Sequence, residues 1–273
     1  MPQPDPPPTL IELNRSPLIR FRRRLTTRGV PLSKTSVGEF SACPARWAYR
    51  NIERLGTGAT GQEFALGRAC HAVVAAAING DRAAASDERV AAALLSEGVS
   101  PEMVASATDW VLWAAELVRL RHGCVAAVEQ SVRSRRISGV VLTGRFDVVV
   151  SNGGVAPLEL IDWSFGRHPK FSRPEQMVSD VGITIYRTLL AVSQPALPER
   201  VVISDVHVPG RQVLSVELSR DEVERAWRDI RGIRDDIRSV AERGYVEARP
   251  GPHCNWCPYK WNCPHSPALA GAA

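Results

Sequence analysis

The stretch "PLELIDWSFGRHPK", residues 157–170, decides how the rest of the chain is read. Its apolar run of Leu158, Leu160 and Ile161 ends in a carboxylate, Asp162, with Gly166 shortly after. A strand that delivers an acid at its end, beside a turn, is a common way of presenting an oxygen ligand to a divalent ion. One segment earlier, "GVVLTGRFDVVV" (139–150) sets a second acid, Asp147, among valines. A carboxylate in such a run is costly unless it is paired or bound to a cation.

Working outward, "VAAVEQSVRSRRI" (125–137), residues 139–150 and "GVAPLELIDW" (154–163) are rich in β-branched side chains, with Gly and Asn between them. They predict three successive strands, the last two joined by "SNGG". "ERVVISDVHVPGRQVLSVEL" (199–218) predicts a hairpin turning at Pro209–Gly210. Apolar periodicity predicts helices at 64–79, 82–97, 101–121, 174–193 and 219–243. "PLSKTSVGEFSACPARWAYRNIERL" (31–55) reads as one further helix, with Ser33 or Ser36 as N-cap. Helices around a central sheet, with no clean linker, predict a single α/β domain over residues 31–265. A Pro-rich basic arm (1–30) precedes it and a small-residue tail (266–273) follows.

The 273 residues suffice for a substantial core. The balance of 34 Lys+Arg against 29 Asp+Glu gives +5, a weak pull toward polyanions. Lys34 is the only lysine between Pro31 and Pro169, so the positive charge is mostly arginine, whose fork suits phosphate. The arm carries Arg20, Arg22, Arg23 and Arg24, which read either as a solvated tail or as contacts to a DNA backbone. No apolar run reaches the roughly 18 residues of a membrane span, and "MPQPDPPPTL" has no signal-peptide core. The expectation is a cytoplasmic protein, where disulfides are rare, so its six cysteines need another role.

"HCNWCPYKWNCPH" spaces Cys254, Cys257 and Cys263 so that three thiolates can converge on one metal centre. The fourth ligand is His253, His265 or a distant cysteine. Cys43 is the favoured one because Pro44 follows it, as prolines follow Cys257 and Cys263. Spacing alone leaves zinc and an iron–sulfur cluster level. Cys70 and Cys124 lie in apolar, helical-looking contexts and read as small buried residues.

His71, in "GRACH", can join Asp147 and Asp162 around Mg²⁺ or Mn²⁺. Taken singly, Asp147 is more readily explained by pairing with Arg145 or another arginine, and His71 as a satisfied core histidine.

Together these segments resemble the PD-(D/E)XK nuclease superfamily, in its RecB-like branch with a C-terminal iron–sulfur cluster. That branch includes CRISPR-adaptation exonucleases and AddB-type nuclease subunits. "LSKTSVGEFSACPARWAYR" resembles its opening helix with the first cluster cysteine, and "GRACH" its Gly-x-x-x-His. "GRFDVVV" resembles its metal-binding Asp strand, "LIDWSFG" its Asp-x-Lys strand, and "CNWCPYKWNC" its closing trio. The resemblance implies a restriction-endonuclease-like core, a central mixed sheet flanked by helices, with a helical appendage stapled by a [4Fe–4S] cluster on Cys43, Cys254, Cys257 and Cys263. It implies a divalent ion on His71, Asp147 and Asp162, DNA as substrate (single strands or ends), and protein partners in a larger assembly.

Two positions depart from the family pattern. Ser164 stands where the family has its catalytic lysine, and Gly182 where it has a glutamine four residues before Tyr186. Gln176 lies six residues too early to replace that glutamine. Lys170 and Arg167, just downstream, are the basic groups that could fold back or contact phosphate. Two readings follow: a metal-dependent DNA exonuclease rewired or weakened at Ser164, or a non-catalytic DNA-binding or scaffold subunit.

Overall fold

The computed structural model describes residues 18–20, 31–56, 62–80, 86–121, 124–151, 158–193 and 200–266. It divides into two compact units: residues 60–229, and a second unit assembled from 1–59 and 230–273. Among the described residues no helix is long and apolar enough to cross a membrane.

The larger unit is built on a five-stranded sheet of β2 (Cys124–Arg133), β3 (Thr143–Ser151), β4 (Leu158–Ser164), β5 (Val201–His207) and β6 (Gln212–Val216), in that spatial order. β2, β3 and β4 are mutually antiparallel, β4 and β5 are parallel, and β5 and β6 form an antiparallel hairpin. The sheet is therefore mixed. Register places Val148 opposite Ile161, which sets Asp147 across from Asp162. In the parallel pair Asp162 is matched to Asp205.

Helices α3 (Gln62–Asn79), α4 (Asp87–Ser96) and α5 (Pro101–Leu120) precede the sheet in sequence and form one apolar cluster with Val148, Val150, Ile161, Trp163 and Val206. The segment read as one helix at 174–193 is two, α6 (Pro174–Val178) and α7 (Val181–Ser193). The break falls at Asp180, whose side chain accepts the Gly182 N–H at 2.7 Å and caps the second helix. α7 packs on β3 and β5 through Ile183, Ile185 and Leu189, all fully buried. A side chain at Gly144 would meet Leu189 Cδ1 at 2.7 Å, so only glycine lets β3 and α7 approach this closely.

In the other unit α1 (Lys34–Ala42) and α2 (Pro44–Asn51) replace the single helix expected over 31–55. Cys43 between them is extended (φ −158°, ψ 106°) because the ring of Pro44 excludes the helical conformation from the residue before it. Ser33 caps α1, as read from sequence, accepting the Ser36 N–H at 3.1 Å. Trp47 Nε1 donates to Ser36 Oγ at 2.9 Å in the buried seam between the helices. Within the segment read as an arm, β1 (Leu18–Arg20) pairs antiparallel with β7 (Tyr245–Glu247). α8 (Arg220–Arg243) leads into β7, and a short 3₁₀ turn (Pro252–Trp256) opens the Cys-rich end.

Candidate metal centre and active site

Asp147 enters the site from the middle of β3. Its Oδ2 accepts the backbone N–H of Trp163 at 2.8 Å, and its Oδ1 lies 3.5 Å from His71 Nδ1 on α3. Arg145 is not its partner. That guanidinium pairs instead with Glu129 of β2, Nε to Oε2 at 2.5 Å, while Glu129 Oε1 lies 3.4 Å from His71 Nδ1. Among the described residues, His71, Glu129 and Asp147 are the one set of three metal-ligating side chains whose ligand atoms lie within 4.8 Å of one another.

Glu129 was not singled out by the sequence. Its neighbours Val128 and Gln130 pair with Val148 and Phe146, so it stands across from Asp147. Its φ of 51° is left-handed, an uncommon state for a residue with a Cβ and a marker of local strain at a functional position. A glycine or asparagine would have signalled that turn; a glutamate in a strand does not.

The charges of the cluster act on one another. Burial pushes the Asp147 carboxyl up to about 7, the charge of Asp162 adds to this, and His71 and the Trp163 N–H oppose it. Burial pulls His71 down, but the hydrogen bond and charge of Glu129, with Asp147 and Asp162, outweigh it, and the net shift is upward. Tyr186 on α7 donates its hydroxyl to Asp162, and burial followed by that carboxylate pushes the phenol far up. A cavity of about 560 Å³ opens over the cluster, bordered by His71, Glu129, Asp147, Glu97, Arg68 and Arg145.

Ser164 Oγ is buried and has no hydrogen-bond partner among the described residues. Lys170 Nζ is paired with Asp180 Oδ2 at 2.9 Å and lies over the Phe171 ring. Gln176 is occupied with Ser172, accepting its N–H at 2.7 Å and its hydroxyl at 3.1 Å. Arg167 is exposed on the loop after β4. That loop is fastened by His207: Nδ1 accepts the Gly210 N–H at 3.2 Å, which leaves Nε2–H to donate to Gly166 O at 2.8 Å. Arg22, Arg23 and Arg24 lie outside the described residues; of Arg20, only the backbone, in β1, is described.

In the other unit Cys43, Cys254, Cys257 and Cys263 line one small cavity, with His253 and His265. Cys43 Sγ accepts the Arg249 N–H at 3.5 Å and Cys254 Sγ the Gly251 N–H at 3.4 Å. Burial, then the nearby thiols, push Cys257 and Cys263 up, so the cavity favours thiolates only if a cation joins them. The Nε2 atoms of both histidines are buried without a partner among the described residues. Cys70 is buried, as read from sequence, and burial lifts its thiol to about 12. Cys124 is neither helical nor buried: it begins β2, exposed, because the chain has already changed to strand there.

The core is a mixed five-stranded sheet with acids on adjacent strands, faced by a histidine from α3. Residues 31–264 match the family model of the PD-(D/E)XK nuclease superfamily, and the chain belongs to that superfamily. Several solved structures are similar to it, two of them as follows. One is the protein SSO0001, 14% identical over 75% of this chain and 85% of that one, with a TM-score of 0.36. The other is a candidate exonuclease from Eubacterium rectale, 9% identical over 83% of this chain and 86% of that one, with a TM-score of 0.49. No curated protein matches the sequence.

Proposed function

We propose that this chain is a DNA-processing domain of the RecB-like branch, a divalent-metal-dependent exonuclease that keeps its ion site and lacks its lysine. The observation that carries the reading is the convergence of His71, Glu129 and Asp147, with Asp162 opposite, on one cavity bordered by Arg68 and Arg145. The donor set fits Mg²⁺ or Mn²⁺: a buried carboxyl held up in pKa and a neighbouring imidazole relieve one another once a cation sits between them. When bound, the ion supplies Lewis-acid activation of water and neutralises charge at the scissile phosphate. The Trp163 N–H fixes the Asp147 carboxylate, and the Tyr186 hydroxyl fixes Asp162. Arg68 and Arg145 are placed to meet the phosphates of the strand. Ser164 offers a hydroxyl without charge; losing one preorganised charged donor costs on the order of 10²–10³ in rate.

The four cysteines fit a [4Fe–4S] cluster. The backbone N–H groups of Arg249 and Gly251 already point at two of the sulfurs.

A non-catalytic DNA-binding role is the second reading, favoured by the unbonded Ser164 hydroxyl and the commitment of Lys170 to Asp180. One assay separates the two: end-labelled single-stranded DNA with Mn²⁺, comparing the native protein, Asp162→Ala and Ser164→Lys. The exonuclease reading expects slow release of nucleotides, abolished by Asp162→Ala and accelerated about 10²-fold or more by Ser164→Lys. Native protein that binds the DNA and releases nothing, with Ser164→Lys equally silent, leaves the binding role.

A further inference from the structure

We propose that a second cavity, next to the metal centre, seats one unpaired nucleobase and makes the domain a reader of single-stranded ends. The proposal rests on the reading that the chain acts on DNA, and deepens it by assigning a subsite for one base beside the metal centre.

The cavity has a volume of about 470 Å³, within the range of ~300–1,000 Å³ typical of small-molecule sites. Its walls come from α3 (Ala65, Leu66), α5 (Met103, Trp110) and the loop after β4 (Phe165, Arg167). It adjoins the metal centre directly. Ala65 lines both cavities, and the Phe165 ring packs edge-on against His71 with centroids 5.2 Å apart. A nucleotide whose phosphate lies at the acids therefore has this space beside it for its base.

The chemistry of the walls selects the occupant. Trp110, half-buried, offers aromatic surface on which any base can stack, and the buried Phe165 forms the apolar wall beside it. Arg167 is the one charged residue of the lining, and it is cationic and exposed, as a partner for backbone phosphate must be. A base paired in duplex is already stacked on both faces and cannot enter without being extruded. The His207 clasp fixes the loop that carries Phe165 and Arg167, so the seat is preformed.

The test is binding of a fluorescent 12-nucleotide single strand by anisotropy in EDTA, so that nothing is cut. It is repeated with a series of strands, each carrying one abasic nucleotide, and with a blunt duplex. Loss of a stacked base costs roughly 5- to 150-fold in affinity. The expected result is one abasic position near the end that weakens native binding about 10-fold and costs Trp110→Ala less than twofold. Trp110→Ala weakens the intact strand by a similar factor, Trp110→Phe restores it, and the duplex is affected less than twofold by either. Arg167→Gln flattens the salt dependence of single-strand binding by about one phosphate contact. Mn²⁺ binding by each variant, measured separately, stays native, which excludes collapse of the neighbouring site. No sensitive abasic position, or an equal abasic cost in native and Trp110→Ala proteins, overturns the seat while leaving DNA binding intact. Failure of the native protein to bind any DNA overturns the functional reading as well, and the two failures are distinct.

Discussion

Lys170 Nζ lies 2.9 Å from Oδ2 of Asp180, while the other oxygen of that carboxylate caps α7 through the Gly182 N–H. The nearest lysine downstream of Ser164 is thus a fastening for the start of a helix. Both side chains are partly exposed, so the pair contributes on the order of 0.2–1 kcal/mol.

Lys170→Ala is accordingly expected to leave Mn²⁺-dependent nucleotide release within about twofold of native and to lower the melting temperature slightly. Asp180→Ala removes the cap as well, costing about 1 kcal/mol more. A loss of activity in Lys170→Ala of 100-fold or more would identify it as the migrated catalytic group.

The buried Asp147 makes metal binding and protons compete. An acid whose folded-state pKa exceeds its unfolded value stabilises the fold fully below the unfolded value and loses that contribution as pH rises through the folded one. For Asp147 this window runs from 3.8 to about 7. The upward shift of His71 acts in the same sense, since its charged form opposes a cation. Saturating Mn²⁺ should therefore raise the melting temperature more at pH 8 than at pH 5.5, and Asp147→Asn should erase most of the difference. An equal rise at both pH values places the ion elsewhere.

Gly144→Ala tests the contact that sets Tyr186. The added methyl meets Leu189 Cδ1 at 2.7 Å and Tyr186 Cε1 at 3.4 Å, and Leu189 is fully buried with nowhere to retreat. Overpacking of this kind costs typically 1–3 kcal/mol, seen as a fall of several degrees in melting temperature. Because α7 must move, the Tyr186–Asp162 bond loosens and Mn²⁺ affinity falls with it. Calorimetry showing unchanged stability rules out the close approach.

Protein purified without oxygen should be brown, with iron and sulfide in equal amounts. Cys43→Ser should lose most of the iron and destabilise the unit that Cys43 shares with the C-terminal trio, since binding energy there is folding energy. A colourless sample with one zinc per chain decides for the smaller ion.

Much of the site can be read from residues that are expensive where they stand. Asp147 among valines and Asp162 at a strand end announce themselves by their cost, and the closing cysteines by their spacing. Glu129 is one polar residue among several in "VAAVEQSVRSRRI", and its left-handed backbone has no marker in its side chain. The pairing of Arg145 with Glu129, in place of Asp147, depends on which face of β2 turns toward α3, a tertiary fact. The two broken helices were legible at Pro44, by the restriction it places on Cys43, and at Asp180, a good N-cap residue inside an apolar period. Apolar periodicity runs through both positions and masks these signals.

The cysteine cavity joins residues made at very different times. Cys43 and Cys263 are separated by 220 positions, and Tyr49 hydroxyl donates to Asn262 O across a similar gap. At about 5–20 residues per second, Cys43 waits on the order of 10–40 s for its last partner to be synthesised. Unit 60–229 has all its residues before then, so it can fold first. Until then the thiol at the α1–α2 break lacks the C-terminal residues that share its cavity, so closing that cavity is the last step of this unit's assembly.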